Sequence, residues 1–234
     1  MNIHASSSAS GPLRWALSGA LFPLFFELGE VVALQLATAP LPMPDAPVAE
    51  VVAYYGGSRT AAQVLGISQA LAAIALLVFA ECIFRFLRRT SADDGALTGL
   101  ARGGGIVAGL FLLASALLTL PLTVAAGGSD MALVGTLRSL NFLTGGTLFI
   151  ASLGVFVGAT SLAARRAGLL PGWIVWLGLV QAVLAVLSLA SLVVFFAAVL
   201  ILIGRLLGSV WCIAVGIAFA LGRGRAPAAE GVGR

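Results

Sequence analysis

The chain has 234 residues, of which 60% are hydrophobic and 9% are charged, and its mean hydropathy is +1.10. A soluble domain is about 45–50% apolar and about 25% charged, so this composition excludes a water-soluble globule and indicates an integral membrane protein. All 13 basic residues are arginines, and the net charge is +4. Because most arginines lie at the ends of apolar segments, we attribute this charge to membrane topology and expect no nucleic-acid binding.

Six apolar segments are each long enough to cross a bilayer core about 30 Å thick as a helix of about 20 residues. They are residues 13–38, 60–84, 104–126, 133–164, 171–195 and 198–221. The sequence therefore predicts an all-α, polytopic transmembrane bundle of about six spans. Five spans are the alternative, since no turn signal separates the last two segments. We place a turn near 195–198 because one unbroken apolar run of about 50 residues is too long for a single span.

The segments outside the spans are predicted to be two disordered cytoplasmic tails and one external loop, at residues 1–12, 222–234 and 39–59. Within the loop, residues 45–55 have the pattern of a short helix with Asp45 as its N-cap. We expect this helix to lie on the membrane surface, with its apolar positions toward the bilayer. Tyr54 and Tyr55 are interpreted as interfacial anchors.

Arginine positions predict the orientation of the bundle. If the N-terminus is inside, ten arginines fall on the cytoplasmic side, and only Arg59, Arg138 and Arg205 fall on the other. Cytoplasmic loops carry an excess of basic residues, so we expect both termini in the cytoplasm. The bacterial cytoplasmic membrane is the expected location, with the lipid bilayer as the main partner.

Three charged residues lie at least seven residues from either end of an apolar segment. Glu27 and Glu30 are three residues apart in the first segment, and Arg205 lies in the sixth at about the depth of Glu30. Ionisable groups at membrane depth are costly and normally face the bundle interior and a partner. We interpret these residues either as a structural ion pair or as a proton- or cation-coupling site. Arg205 is predicted to pair with Glu30, or failing that with Glu27, the alternative being that it reaches outward to the headgroups.

Other polar residues have more local interpretations. Glu81 precedes Arg85 by four residues, which predicts a helical salt bridge at the cytoplasmic interface. Arg138 and Asn141 begin the fourth segment on the external side, where they either cap neighbouring carbonyl groups or line an outer vestibule.

The sequence offers little for catalysis or metal binding. The single histidine, His4, precedes the first apolar segment, and Cys82 and Cys212 lie within apolar runs, where we interpret them as packing residues. No nucleophile–base pair or metal-binding cluster is evident. We therefore expect no enzyme activity, no catalytic, cofactor-binding or metal-binding residues, and no cofactor.

Small residues recur at helical spacing. Three pairs fit a small-xxx-small pattern: Gly105 and Gly109, Gly154 and Gly158, and Gly204 and Gly208. This pattern predicts close packing within the chain, with a protein partner or a second copy as the alternative. Residues 65–70 also resemble residues 177–182 in outline. This similarity is either the trace of an inverted repeat, common in transporters, or a coincidence of a small apolar alphabet.

One motif resembles a known group of proteins. Residues 165–178, Arg-Arg-Ala-Gly-Leu-Leu-Pro-Gly-Trp-Ile-Val-Trp-Leu-Gly, and residues 49–55, Ala-Glu-Val-Val-Ala-Tyr-Tyr, resemble a family of small, uncharacterised multi-spanning proteins common in actinobacterial genomes. The resemblance implies a six-helix membrane protein of unknown function, and it assigns no catalytic residues.

Three hypotheses about function are compatible with these features. The shortage of polar residues favours a non-catalytic accessory or structural component of the membrane. The carboxylates of Glu27 and Glu30 favour a small transporter or channel. A membrane sensor or an intramembrane enzyme is the third alternative.

Overall fold

The chain is built from helices. The computed structural model describes residues 10–89, 95–128 and 130–221, and it is 88% helical with no strand in those ranges. The α-helices are α1 (Ser10–Leu36), α2 (Val48–Gly57), α3 (Arg59–Arg89), α4 (Gly95–Ala125), α5 (Met131–Phe142), α6 (Phe149–Arg166), α7 (Gly172–Leu187) and α8 (Ala198–Ala220). A π-helical stretch, Leu143–Leu148, joins α5 to α6 without a break, and a 3-10 turn, Ser188–Leu192, extends α7.

Six helical stretches are long and apolar enough to cross a membrane. They are Ser18–Leu36, Arg59–Arg89, Gly95–Ala125, Met131–Arg166, Gly172–Leu192 and Ala198–Phe219. The prediction of an all-α bundle with six membrane-spanning helices is thereby confirmed. Residues 193–197 separate the last two spans, and they include a short 3-10 turn, Phe195–Ala197.

The spans pack in chain order, and the bundle closes on itself. α1 packs on α3, α3 on α4, α4 on α6, α6 on α7, α7 on α8, and α8 returns to α1. The fourth span is the most enclosed, because 72% of its most apolar window is buried, against 33–44% for the others. The large side chains of Phe22, Phe149, Phe156 and Trp211 are fully buried. Buried aromatic side chains are therefore part of the core between the helices.

Two predicted boundaries need correction. α1 begins at Ser10, inside the segment 1–12 that was predicted to be a disordered tail. α4 begins at Gly95, nine residues before the predicted start at 104. The glycines in this region indicate a loop by composition, but Gly104 serves helix packing: a Cβ there would lie 2.7 Å from the backbone nitrogen of Phe156. The predicted tail 222–234 lies outside the described residues.

The helix of the 39–59 loop is also corrected. α2 begins at Val48 after Pro47, and Asp45 does not cap it. Val51, Tyr54 and Tyr55 are buried in a second apolar cluster with residues of α3, α4 and α5. The face predicted to meet the bilayer therefore meets protein. It does so because α2 packs on α5 and on the neighbouring ends of α3 and α4.

The tight connection between α6 and α7 depends on one glycine. Gly168 has a φ of 64°, in the left-handed region that favours glycine, and Leu169 N donates to Ala164 O at 2.9 Å. This geometry ends α6 and satisfies its last carbonyl groups. Trp173 and Trp176 follow on the exposed face of α7, and Arg165 lies over the Trp176 ring at 5.7 Å.

The small-residue pairs all mark close contacts within the chain. A Cβ at Gly109 would meet Leu77, one at Gly158 would meet Ala182, and one at Gly208 would meet Leu153. These contacts join α4 to α3, α6 to α7, and α8 to α6. The glycine faces are therefore occupied by neighbouring helices of the same chain.

Candidate functional site

Glu27, Glu30 and Arg205 meet between α1 and α8. Arg205 Nη1 donates to Glu30 Oε1 at 2.6 Å, and Nη2 donates to Glu30 Oε2 at 2.8 Å. Two parallel bonds of this kind match the planar guanidinium to the carboxylate and fix both side chains. The Arg205 guanidinium also lies 5.0 Å from the centre of the Phe26 ring, a cation–π distance.

Glu27 is the third charged member of this site. Its Oε1 accepts a hydrogen bond from Ser209 Oγ at 3.2 Å and lies 3.9 Å from Arg205 Nε. Arg205 Nε is buried and donates to no described residue. Glu27 is therefore a neighbour of the guanidinium, while Glu30 is its hydrogen-bonded partner.

The site carries one negative charge in excess. Two carboxylates share one guanidinium, and its two terminal nitrogens are both bonded to Glu30. Glu27 lies nine residues from each end of the Ser18–Leu36 span, which places it about 14 Å from either end along the helix. A charged side chain at the bilayer centre costs about 2.5–3.5 kcal/mol on insertion scales. A carboxylate at this depth is therefore costly unless its charge is balanced.

Two grooves are lined by these carboxylates, one by Glu30 and the other by Glu27. One, of about 400 Å³, is lined by residues that include Glu30, Arg205, Leu34 and Tyr54; we call it the α1/α2 groove. The other, of about 510 Å³, is lined by Glu27 and by residues of α1 and α8; we call it the α1/α8 groove. The Arg205–Glu30 pair belongs to the first groove and Glu27 to the second.

Sequence reasoning missed two residues of this site. Ser209 follows Arg205 by four positions, and Phe26 precedes Glu30 by four. Residues four apart lie on the same helix face, so this spacing was the signal that could have found them. A serine and a phenylalanine are common in membrane helices, and their types alone do not indicate a site.

The second predicted salt bridge lies at the opposite end of the bundle from α2. Arg85 Nε donates to Glu81 Oε1 at 2.9 Å, within α3. Arg102 Nε of α4 donates to Glu81 Oε2 at 3.2 Å and also lies over the Phe84 ring. These side chains are a third to two-thirds exposed, so solvent screens the pair and its net contribution to stability is small.

Arg138 and Asn141 both donate to backbone carbonyl groups. Arg138 Nη2 donates to Pro42 O at 2.9 Å and so ties α5 to the proline-rich loop before α2. Burial raises the pKa of Tyr55 above its usual range, and the positive charge of Arg138, together with its hydrogen bond, partly offsets this rise.

Asn141 joins α5 to α4. Its Nδ2 donates to Ser115 O at 2.8 Å, and Ser115 Oγ donates back to Asn141 O at 3.1 Å. The π-helical stretch starts two residues later, and a Cβ at Gly145 would collide with Ser115. The contacts of both Arg138 and Asn141 correspond to carbonyl capping, the first of the two roles expected from the sequence.

Cys82 and Cys212 are free thiols, and Cys212 is fully buried against the core. Within residues 10–89, 95–128 and 130–221, no group of three or more His, Cys, Asp or Glu side chains is placed to hold a metal ion.

Comparisons with protein-family models, with curated proteins and with solved structures found no match. The resemblance of residues 165–178 to an actinobacterial family therefore stays a prediction. Any functional assignment rests on the contacts of Glu27, Glu30 and Arg205 between α1 and α8.

Proposed function

We propose that this integral membrane protein is a small transporter or channel that binds a proton or a cation at Glu27 and Glu30. The observation that carries the proposal is the charge imbalance at the α1/α8 interface, where two carboxylates share one guanidinium. A purely structural ion pair needs one charge of each sign. The second carboxylate, at mid-span, adds a cost that cation or proton binding would offset.

The two grooves support this proposal. Glu30 and Arg205 line the α1/α2 groove, and Glu27 lines the α1/α8 groove. The carboxylates lie three residues apart on α1, less than one helical turn, so a bound proton or cation has only a short distance to move between them. Arg205 contacts both and is placed to change partner when one of them is neutralised.

We further propose the bacterial cytoplasmic membrane as the location, with both termini in the cytoplasm. The ends of the spans opposite α2 carry an arginine cluster: Arg85, Arg88, Arg89, Arg102, Arg165 and Arg166. Cytoplasmic ends of membrane helices are enriched in such residues. Helix α2 and the Pro42–Arg138 contact then face outward.

A non-catalytic accessory or structural role is the second candidate. The observation in its favour is the filled core: Phe22, Phe149, Phe156 and Trp211 are fully buried and contact one another in pairs. A transporter with this core must work along the α1/α8 interface. An accessory protein needs no such path.

Proton uptake into liposomes tests the two roles against each other. The purified chain is reconstituted into liposomes that contain a pH-sensitive dye. A potassium diffusion potential, negative inside the liposomes, is then applied. We expect uptake several-fold above that of empty liposomes, and Glu27→Gln should abolish this excess because it removes the carboxylate that is not bonded to the terminal nitrogens of Arg205. Glu81→Gln is the matched control, since Glu81 is a half-buried glutamate of α3 that is bonded to Arg85 and Arg102 and lies outside the α1/α8 interface.

Two results would contradict the transport proposal. One is wild-type uptake no greater than that of empty liposomes, which would leave the accessory role. The other is equal uptake by the wild-type chain and Glu27→Gln, which would show that proton movement does not involve Glu27.

A further inference from the structure

The α1/α8 groove is apolar except at one end of its lining. Glu27 and the hydroxyl of Ser209 supply its polar groups, and its walls are Ala20, Pro23, Leu24, Leu206, Val210 and Ile213. Leu24, Leu206, Val210 and Ile213 are all well exposed on the surface of the bundle. In a membrane this surface meets lipid chains, so the groove opens sideways into the hydrocarbon layer.

The charged group in this groove is the Glu27 carboxylate, and it has few partners. Glu30 is bonded to both terminal nitrogens of Arg205, which leaves Glu27 with one hydroxyl donor and a guanidinium nitrogen at 3.9 Å. About a third of the Glu27 side chain is exposed. The groove therefore presents a carboxylate whose charge is only partly balanced, at the end of an apolar surface.

These features define the chemistry of a complementary ligand. A small hydrated cation would have to lose its water against leucine, valine and isoleucine side chains. A lipid chain would fill the groove and leave the carboxylate unbalanced. A cation that carries its charge within an apolar shell satisfies both the walls and Glu27, and it also partitions into the hydrocarbon layer from which the groove opens.

We propose that the α1/α8 groove binds lipophilic monovalent organic cations, which enter sideways from the bilayer and are held by Glu27. This inference rests on the proposed function and names a substrate class for the same carboxylate. The groove volume of about 510 Å³ lies within the range of pockets that hold small organic ligands. Ser209 positions the Glu27 carboxylate through its hydrogen bond.

Binding of radiolabelled tetraphenylphosphonium to the full chain in lipid nanodiscs tests the proposal, with empty nanodiscs as the blank. We expect saturable binding by the wild-type chain and at least a tenfold loss of affinity in Glu27→Gln. Val210→Trp, which fills the groove, should weaken binding to a similar extent. Val107→Trp places the same side chain on an exposed site of α4 and should leave binding unchanged, as should Glu81→Gln.

Several results would overturn the inference. These are an absence of saturable binding by the wild-type chain, undiminished binding by Glu27→Gln, and equal losses in Val210→Trp and Val107→Trp. If tetraphenylphosphonium does not bind while proton uptake still depends on Glu27, this inference fails and the proposed function stands. If proton uptake does not depend on Glu27, the proposed function fails whatever the binding result.

Discussion

Arg205 holds Glu30 through both terminal nitrogens of its guanidinium, so each side chain depends on the other for charge balance within the membrane. Removing one partner of a buried pair leaves an uncompensated charge and typically costs about 3–5 kcal/mol. The partial exposure of Glu30 reduces this figure. Arg205→Ala should therefore destabilise the chain strongly, and adding Glu30→Gln should recover part of the loss.

Thermal unfolding in detergent measures this coupling through a double-mutant cycle. We expect a coupling energy of about 1–3 kcal/mol between Arg205 and Glu30, and a smaller one between Arg205 and Glu27 because of the 3.9 Å separation. Additive effects of Arg205→Ala and Glu30→Gln would show that the pair contributes nothing to stability.

For these charged side chains, the sequence indicated which ones meet but not all of their hydrogen bonds. The positions of Glu30 and Arg205 along their spans were enough to predict that they meet. The bidentate geometry of the Arg205–Glu30 pair and the bond from Ser209 to Glu27 depend on the rotation of α1 and α8 about their axes. Apolar residues lie on every face of both helices, so the hydrophobic pattern of the sequence says little about which face of each helix points inward.

Among the helices, the contact between α4 and α6 gives a sharp packing prediction. A Cβ at Gly104 would lie 2.7 Å from the backbone nitrogen of Phe156, whereas a Cβ at the neighbouring Gly103 would meet nothing within 4 Å. Gly104→Ala should destabilise the chain by about 1–3 kcal/mol, because the backbone of α6 has to move.

Gly103→Ala is the matched control for that variant. Alanine is favoured over glycine in a helix by about 1 kcal/mol, so this substitution should be neutral or stabilising. Thermal unfolding of both variants in the same detergent checks the pair. If the Gly104→Ala variant were as stable as the Gly103→Ala variant, α4 and α6 would not approach each other as closely at Gly104 as the structure shows.

The contact between α2 and α5 predicts a response to alkaline pH. Burial raises the pKa of Tyr55 in the folded chain above its usual range. The unfolded chain then loses the tyrosine proton more readily, so stability should be full below about pH 10 and should fall as the pH rises beyond it. Tyr55→Phe lacks the ionisable group and should lose less stability between about pH 9 and about pH 11.

Unfolding midpoints of the wild-type chain and Tyr55→Phe across this pH range test the effect. Parallel decreases in the two proteins would mean that Tyr55 is not buried as α2 places it.

The packing of α2 shows that the apolar pattern of a short segment does not determine which surface the segment contacts. Residues 45–55 have an apolar face, and such a face fits a bilayer surface or a protein surface equally well. The structure buries Tyr54 and Tyr55 against α3, α4 and α5. The deciding factor is the length of the fourth span, Met131–Arg166, whose first turns give α2 a partner. A contact between distant segments of this kind is not encoded in the local pattern.

Across the bundle, the number and order of the spans were accessible from the sequence because about 20 apolar residues are needed to cross a bilayer. The sequence did not predict that the fourth span is the most enclosed one. Its most apolar window is less hydrophobic than those of its neighbours in the chain, yet it is the most buried. In a membrane the outer surface is apolar too, so hydropathy does not separate inner from outer helices.

The arginine distribution predicts the orientation of the bundle in the membrane. An even number of spans would put both termini on one side, and the arginine-rich ends of α3, α4 and α6 predict that this side faces the cytoplasm. A fluorescent reporter that folds only in the cytoplasm should be active when fused to either terminus, and a phosphatase active only outside should be active after Gly128. The matched phosphatase fusion after Gly168, at the arginine-rich end of α6, should be inactive. Five spans would give reporters of opposite activity at the two termini, whereas an inverted bundle would exchange the results at Gly128 and Gly168.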